Sequence, residues 1–167
     1  MHDKVTQKDI ERMEQEIEHR KLVVRKELLE AVKEARAHGD LSENFEYHAA
    51  KREKNANESR IRYLEKMIKT AVIISEDSKS DEVGLNNTVT LYFEDEDVEE
   101  TYTIVTEVRG NSLEGWITID SPIGSAILGH KVGDRVFVKV NEDVGYYVRI
   151  TSIENTEDDG SIGLRTY

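Results

Sequence analysis

Two carboxylates three positions apart, Asp40 and Glu43, stand in the stretch Gly39-Asp40-Leu41-Ser42-Glu43-Asn44. Hard cations take oxygen ligands, and Mg2+ is often held by only one or two protein carboxylates. The pair is therefore an incomplete metal site, of a kind whose other ligands come from another molecule. The same spacing fits a capping box, with Asp40 as N-cap and Glu43 at N3; Ser42 is a second candidate cap. Capping boxes are the commoner source of this spacing, and the residues alone leave both readings open. His38 and His48 lie close by. Imidazole and carboxylate together bind transition metals, but a histidine at a helix end more often meets the last carbonyls. Arg36, Lys51 and Arg52 make the same region basic. Such charges usually form a solvated helix face, and they are also able to contact phosphates. Elsewhere the chain has no Gly-rich phosphate loop, no nucleophile–base motif and no zinc spacing.

The elements that position Asp40 and Glu43 are two helices. No Gly or Pro occurs from Ile10 to Ala35, and Ile10, Ile17, Val24 and Ala31 recur every seven residues. That repeat predicts a coiled-coil seam. Gly39 supplies a helix stop. A second helical pattern runs from Glu43 to about Lys69, with apolar positions at Tyr47, Ala50, Ile61, Leu64 and Ile68. Lys54 and Asn57 interrupt its stripe, which predicts looser pairing midway. Two long helices joined by a short loop fold back antiparallel. At about 1.5 Å per residue the arm is roughly 40 Å long, with Asp40 at its tip.

Ser75 to Glu82 is polar and lacks periodicity, which predicts a linker. Beyond it the period becomes two. Thr88–Phe93 and Thr101–Val105 flank an acidic turn, Glu94 to Glu100; further strands are predicted at 116–119, 135–140 and 146–153. Ser121-Pro122 is a helix N-cap with a first-turn proline, opening a short helix over 123–128. Trp116, Tyr102, Phe137 and Tyr147 read as core aromatics. The tail 156–167 is polar and reads as partly disordered. The resulting fold class is α+β in two domains: an N-terminal antiparallel helical hairpin over 1–75 with its tip about 38–44, a linker over 76–85, and a small antiparallel sheet with one short helix over 86–167.

Composition narrows the function. The 167 residues carry a net charge of -12 and contain no cysteine. Disulfides, thiolate nucleophiles and Cys-ligated zinc are excluded. The longest apolar run, 71–74, is far below the ~20 residues that span a bilayer, so no membrane role is expected. No secretory signal is legible at the N-terminus, and a cytoplasmic, reducing location fits. Residues 1–75 hold sixteen Lys and Arg against fifteen Asp and Glu; residues 76–167 hold seven against twenty. The second half is thus an acidic module, unsuited to binding nucleic acid alone but suited to a basic protein surface.

The stretch from Glu34 to Lys51 resembles the signature of the bacterial GreA/GreB transcript-cleavage factors, closest to the GreA branch. The stretch Ser121-Pro122-Ile123-Gly124-Ser125-Ala126-Ile127-Leu128-Gly129, followed by Val132-Gly133-Asp134, resembles the family's C-terminal, FKBP-like domain. The resemblance implies a transcription elongation factor that binds RNA polymerase and inserts its coiled coil into the secondary channel. There it stimulates cleavage of backtracked nascent RNA. It implies that Asp40 and Glu43 are the acidic pair, delivered to the polymerase's active centre to share a Mg2+ that the free protein does not bind tightly. The protein is then no enzyme by itself and is a monomer when free. Arg36, Asn44, Phe45, Tyr47, Lys51 and Arg52 become candidate contacts to polymerase or to the RNA 3′ end. Ser121, Pro122, Ile123 and Gly124 become candidate polymerase-docking residues. The chain departs from the family pattern at Ser42, where Lys is common, and at Phe45, where Ala is common; its tail runs past the usual end. Two alternatives stay in view: a channel binder that modulates without cleavage, and a prolyl isomerase or chaperone with a coiled-coil arm.

Overall fold

Helix formers fill the first third of the chain, and they form one long helical run. The computed structural model describes residues 3–38 and 44–166. Helix α1 (Gln7–His19) continues through a π-helical turn (Arg20–Val24) into α2 (Arg25–Ala37), and α3 (Phe45–Thr70) follows. The described residues divide into two compact units. One contains Lys8–Ala71; the other contains Asp3–Gln7 and Val72–Tyr167.

In the helical unit, the seven-residue positions Ile10, Ile17, Val24 and Ala31 are buried or half-buried, and Ile61 and Leu64 of α3 are buried. The middle of the hairpin is not loose. Asn57 is buried there and bridges to the π-helical turn. Its Nδ2 donates to the Arg20 carbonyl at 3.4 Å and its Oδ1 accepts from Arg20 Nη1 at 2.9 Å. The Arg20 carbonyl also accepts the Arg25 N–H, the five-residue bond that defines a π turn. Beside it Glu16 accepts from Arg60 at 2.8 and 3.2 Å and from Arg20 at 2.7 Å. The interruption of the apolar stripe is therefore a polar layer that ties the helices in register. Burial raises the Glu16 pKa, but the hydrogen bonds from Arg60 and Arg20 outweigh it and hold the carboxyl below its ordinary 4.5. Its stabilisation is present above that pH and is lost as pH falls through the lowered folded value.

The second unit begins with a two-stranded parallel ribbon, β1 (Lys4–Val5) beside β2 (Val72–Ile73). Five strands then form one sheet: β3 (Thr88–Phe93), β4 (Val98–Val105), β5 (Trp116–Thr118), β6 (Arg135–Lys139) and β7 (Gly145–Glu154), in the order β5-β4-β3-β7-β6. The sheet is mixed rather than wholly antiparallel, because β5 runs parallel to β4. Two 3-10 turns, Glu107–Arg109 and Ser112–Glu114, carry the chain back along the edge, and Gly115 closes the second with φ 78°. The core gathers Val89, Leu91, Ile104, Val136, Val138, Val148 and Ile150, with Ile127 from helix α4 (Pro122–Ile127).

Four expectations need correction. The span 76–85 is not linker throughout: Val83 and Leu85 are buried in the core, and Val83 N–H donates to the His130 carbonyl at 2.8 Å. Phe137 and Tyr147 are not core aromatics; strand alternation puts both on the outer face, 49% and 40% exposed. The acidic turn is shorter, since pairing already starts at Val98 opposite Phe93. The tail is tied down: Arg165 N–H donates to the Val108 carbonyl at 2.8 Å, Thr156 Oγ1 to the Asn86 carbonyl at 2.5 Å, and Arg109 Nε to the Ile162 carbonyl at 3.3 Å. Among the described residues no helix is long and apolar enough to cross a membrane.

Candidate functional site

Asp40 and Glu43 lie outside the described residues. The groups that hold the chain on either side of them are described. Asn44 is the N-cap of α3, with φ -87° and ψ 94°. Its Oδ1 accepts the Tyr47 N–H at 3.0 Å, and its Nδ2 donates to the Ala35 carbonyl at 2.5 Å. The same carbonyl accepts the His38 N–H at 3.3 Å, where α2 ends. One amide side chain thus caps one helix and fastens it to the end of the other. The N-cap of α3 is Asn44; the capping roles expected of Asp40 and Ser42 fall on residues outside the described ones. The bond at His38 is made by its backbone N–H and does not test the expected contact of its imidazole with the terminal carbonyls.

Asn44→Ala removes both bonds. The expected cost is about 1–2 kcal/mol of hairpin stability, read as a lowered Tm of the helical transition by circular dichroism.

Behind the tip Tyr47 is buried, with the Arg36 guanidinium 5.6 Å from its ring centroid and the His48 ring edge-on at 5.4 Å. Leu29, Val32 and Tyr47 form the apolar part of a groove of about 390 Å³ whose cations are Lys33, Arg36, Lys51 and Lys54. The structure therefore brings Arg36, Tyr47 and Lys51 together. It adds Lys33 and Lys54, which sequence reasoning missed; their signal was i,i+3 spacing from Arg36 and Lys51. Arg52 is exposed and does not line the groove. Phe45 is 86% exposed in the first turn of α3. A second groove toward the π turn shares Leu29 and Lys33 and adds Lys21, Arg25, Lys26 and Glu30; there Lys21 is paired with Glu65 and Arg25 with Glu58, so its positive charge is partly balanced. No group of three or more His, Asp or Glu able to hold a metal occurs among the described residues.

At α4, Ser121 Oγ accepts the Gly124 N–H at 3.0 Å and donates to the Thr118 carbonyl at 2.7 Å. Pro122 opens the helix and is exposed, whereas Ile123 packs against the core. Gly124 is buried so closely against β5 that a Cβ would lie 2.0 Å from the Thr118 carbonyl oxygen. Gly124→Ala should therefore cost about 1–3 kcal/mol through overpacking, measured by chemical denaturation. Ser121 and Gly124 thus build the turn, and Pro122 is what it displays.

The family model described as "Transcription elongation factor, N-terminal" matches residues 4–73, and that described as "Transcription elongation factor, GreA/GreB, C-term" matches residues 77–155. The chain belongs to the GreA/GreB transcription elongation factor family. Transcription elongation factor GreA of Geobacillus kaustophilus is 49% identical over 81% of this chain and 86% of its own length. The GreA of Streptococcus pneumoniae is 42% identical over 91% and 95%. A solved structure of the Thermus thermophilus GreA factor homolog Gfh1 is 28% identical, covering 93% of this chain and all of that one, with a TM-score of 0.43. Within this GreA/GreB chain the tail from residue 156 onward lies outside the matched C-terminal region, and it is the part that Arg109 and Asn86 hold in place.

Proposed function

We propose that this chain is a transcription elongation factor that binds RNA polymerase, inserts its helical hairpin into the secondary channel and stimulates cleavage of backtracked RNA. The observation that carries this reading is the match of both family models, in order, over residues 4–155. The hairpin has the dimensions for it: the 26 residues of α3 extend about 39 Å at 1.5 Å per residue. Its polar central layer and the Asn44 clamp keep so thin an arm in register. The groove of Lys33, Arg36, Lys51 and Lys54 supports contact with phosphates of the RNA or with acidic polymerase surface. Exposed Phe45 offers a ring for an unstacked RNA base. The acidic second unit docks outside, with Pro122 at its displayed turn. The prolyl-isomerase alternative has less support, because the aromatic hollow on this unit carries carboxylates at its rim.

Asp40 and Glu43 are hard oxygen donors, the type that suits Mg2+, but two are too few for a complete shell. They would hold a Mg2+ only together with polymerase ligands; when bound, that ion activates water and stabilises the leaving oxygen. The chain's own part is to bring two carboxylates to the reacting phosphodiester. Activity is tested by adding the protein to stalled, backtracked polymerase with 5′-labelled RNA; Mg2+-dependent shortening of the transcript is the expected result. Calorimetric titration of the free protein with Mg2+ should show no stoichiometric site, and the free protein should not hydrolyse naked RNA. Hydrolysis by the protein alone, lost in Asp40→Asn, would make it an autonomous metalloenzyme.

A further inference from the structure

The core-facing side of the second unit's sheet ends in an unusual group of side chains. Pairing sets Phe93 opposite Val98, Leu91 opposite Glu100, Val89 opposite Tyr102 and Val138 opposite Tyr146, so Phe93, Glu100, Tyr102 and Tyr146 share one face. The Phe93 ring lies 6.4 Å from that of Tyr102, nearly perpendicular, and 5.9 Å from that of Tyr146. Together they form a hollow of about 390 Å³, with Asp95, Glu96 and Glu100 also in its lining. Those three carboxylates are exposed, and no lysine or arginine lines the hollow. Tyr102 Oη donates to Glu100 Oε2 at 2.6 Å. A carboxylate has about four acceptor positions, so Glu100 retains capacity. Burial, then the Glu100 bond and charge, raise the Tyr102 pKa; burial, then the charge of Glu96, raise that of Tyr146. Burial is the larger cause of both shifts, and the nearby carboxylates add to it.

The opposite face of the same sheet shows what this combination binds. There the Arg135 guanidinium lies 3.6 Å from the Tyr147 ring centroid and donates to both Glu94 oxygens at 2.9 Å. Ring face plus carboxylate is filled by the chain's own arginine. On the core-facing side, ring faces and three carboxylates stand at an open end with no cation of the chain among them.

We propose that the Phe93–Tyr102–Tyr146 hollow is a receptor for an arginine side chain on the surface of a partner protein. Guanidinium is the best match, because its plane stacks on rings while its fork pairs with carboxylate. Protein-borne arginine is favoured over free arginine, whose α-carboxylate would face Asp95, Glu96 and Glu100. The assignment does not depend on the partner being polymerase.

The test is an NMR titration of the full-length, aromatic-labelled protein with the capped peptide acetyl-Gly-Arg-Gly-amide. Saturable shifts should centre on Phe93, Tyr102 and Tyr146, with a Kd on the order of 1 mM, the scale of one side chain's contacts. The citrulline isostere should give no saturable shift, and free arginine and the lysine peptide should bind more weakly. Glu100→Gln, which keeps the shape of the rim, should weaken binding about fivefold; Tyr146→Leu should weaken it independently. Equal binding of the citrulline peptide, free arginine or the lysine peptide would overturn the assignment. So would shifts centred elsewhere, an unaffected Glu100→Gln variant, or preference for an Ala-Pro peptide.

Discussion

Replacing Asp40 by Asn and Glu43 by Gln together is expected to reduce stimulated transcript cleavage at least about 100-fold while leaving polymerase binding within about twofold of wild type. Amides keep the size and oxygen atoms of the side chains but lose the charge that a hard dication needs. Lost ligands weaken a metal site by more than the 10- to 100-fold typical of lost supporting groups. The structure makes this test clean. The N-cap of α3 is Asn44, whose amide also holds the Ala35 carbonyl. Neither substitution removes the cap, so a lost hairpin is not the expected reason for lost activity. The measurement pairs a cleavage assay on backtracked polymerase with competition binding against the wild-type protein. Cleavage by the double variant at the wild-type rate would remove Asp40 and Glu43 from the mechanism and favour a channel binder that acts by occupancy.

Arg109→Ala is expected to lower the stability of the second unit by about 3–5 kcal/mol, the scale of breaking a buried ion pair by deleting one partner. Arg109 is 2% exposed and joins the Asn86 segment to the C-terminal tail. Its Nη1 donates to Asn86 Oδ1 at 2.7 Å and lies 3.5 Å from Asp158 Oδ2, and its Nε donates to the Ile162 carbonyl at 3.3 Å. Asp158 has a fully buried side chain, so the variant leaves a carboxylate inside without its arginine. The expected readout is a lower urea midpoint, with faster amide exchange concentrated in residues 156–166. Arg109→Lys should recover only part of the loss, because a single ammonium cannot reproduce the fork. Unchanged exchange in the tail would mean that the tail is held independently of Arg109.

Period and punctuation made much of this chain legible in its sequence. The seven-residue repeat of Ile10, Ile17, Val24 and Ala31 and the absence of Gly and Pro announce a helical hairpin, because helix geometry alone puts those positions on one side. Alternation announces the strands, and Ser121-Pro122 announces α4, because capping and proline preference act within one turn. The chemistry available to Asp40 and Glu43 is likewise a property of residue type and spacing. Tertiary structure decided what depends on partners distant in sequence. Asn57 reads as a break in a stripe until the Arg20 carbonyl, 37 residues away, supplies its bond. That Asn44, besides capping α3, also holds the end of α2 depends on the Ala35 carbonyl, nine residues away. The direction of β5 was hidden in two 3-10 turns that carry no periodic signal. The tail read as disordered because its anchors, Arg109 and Asn86, lie some fifty to seventy residues upstream. Local sequence encodes the conformations a segment prefers; which buried polar group meets which partner is set only when the chain has closed on itself.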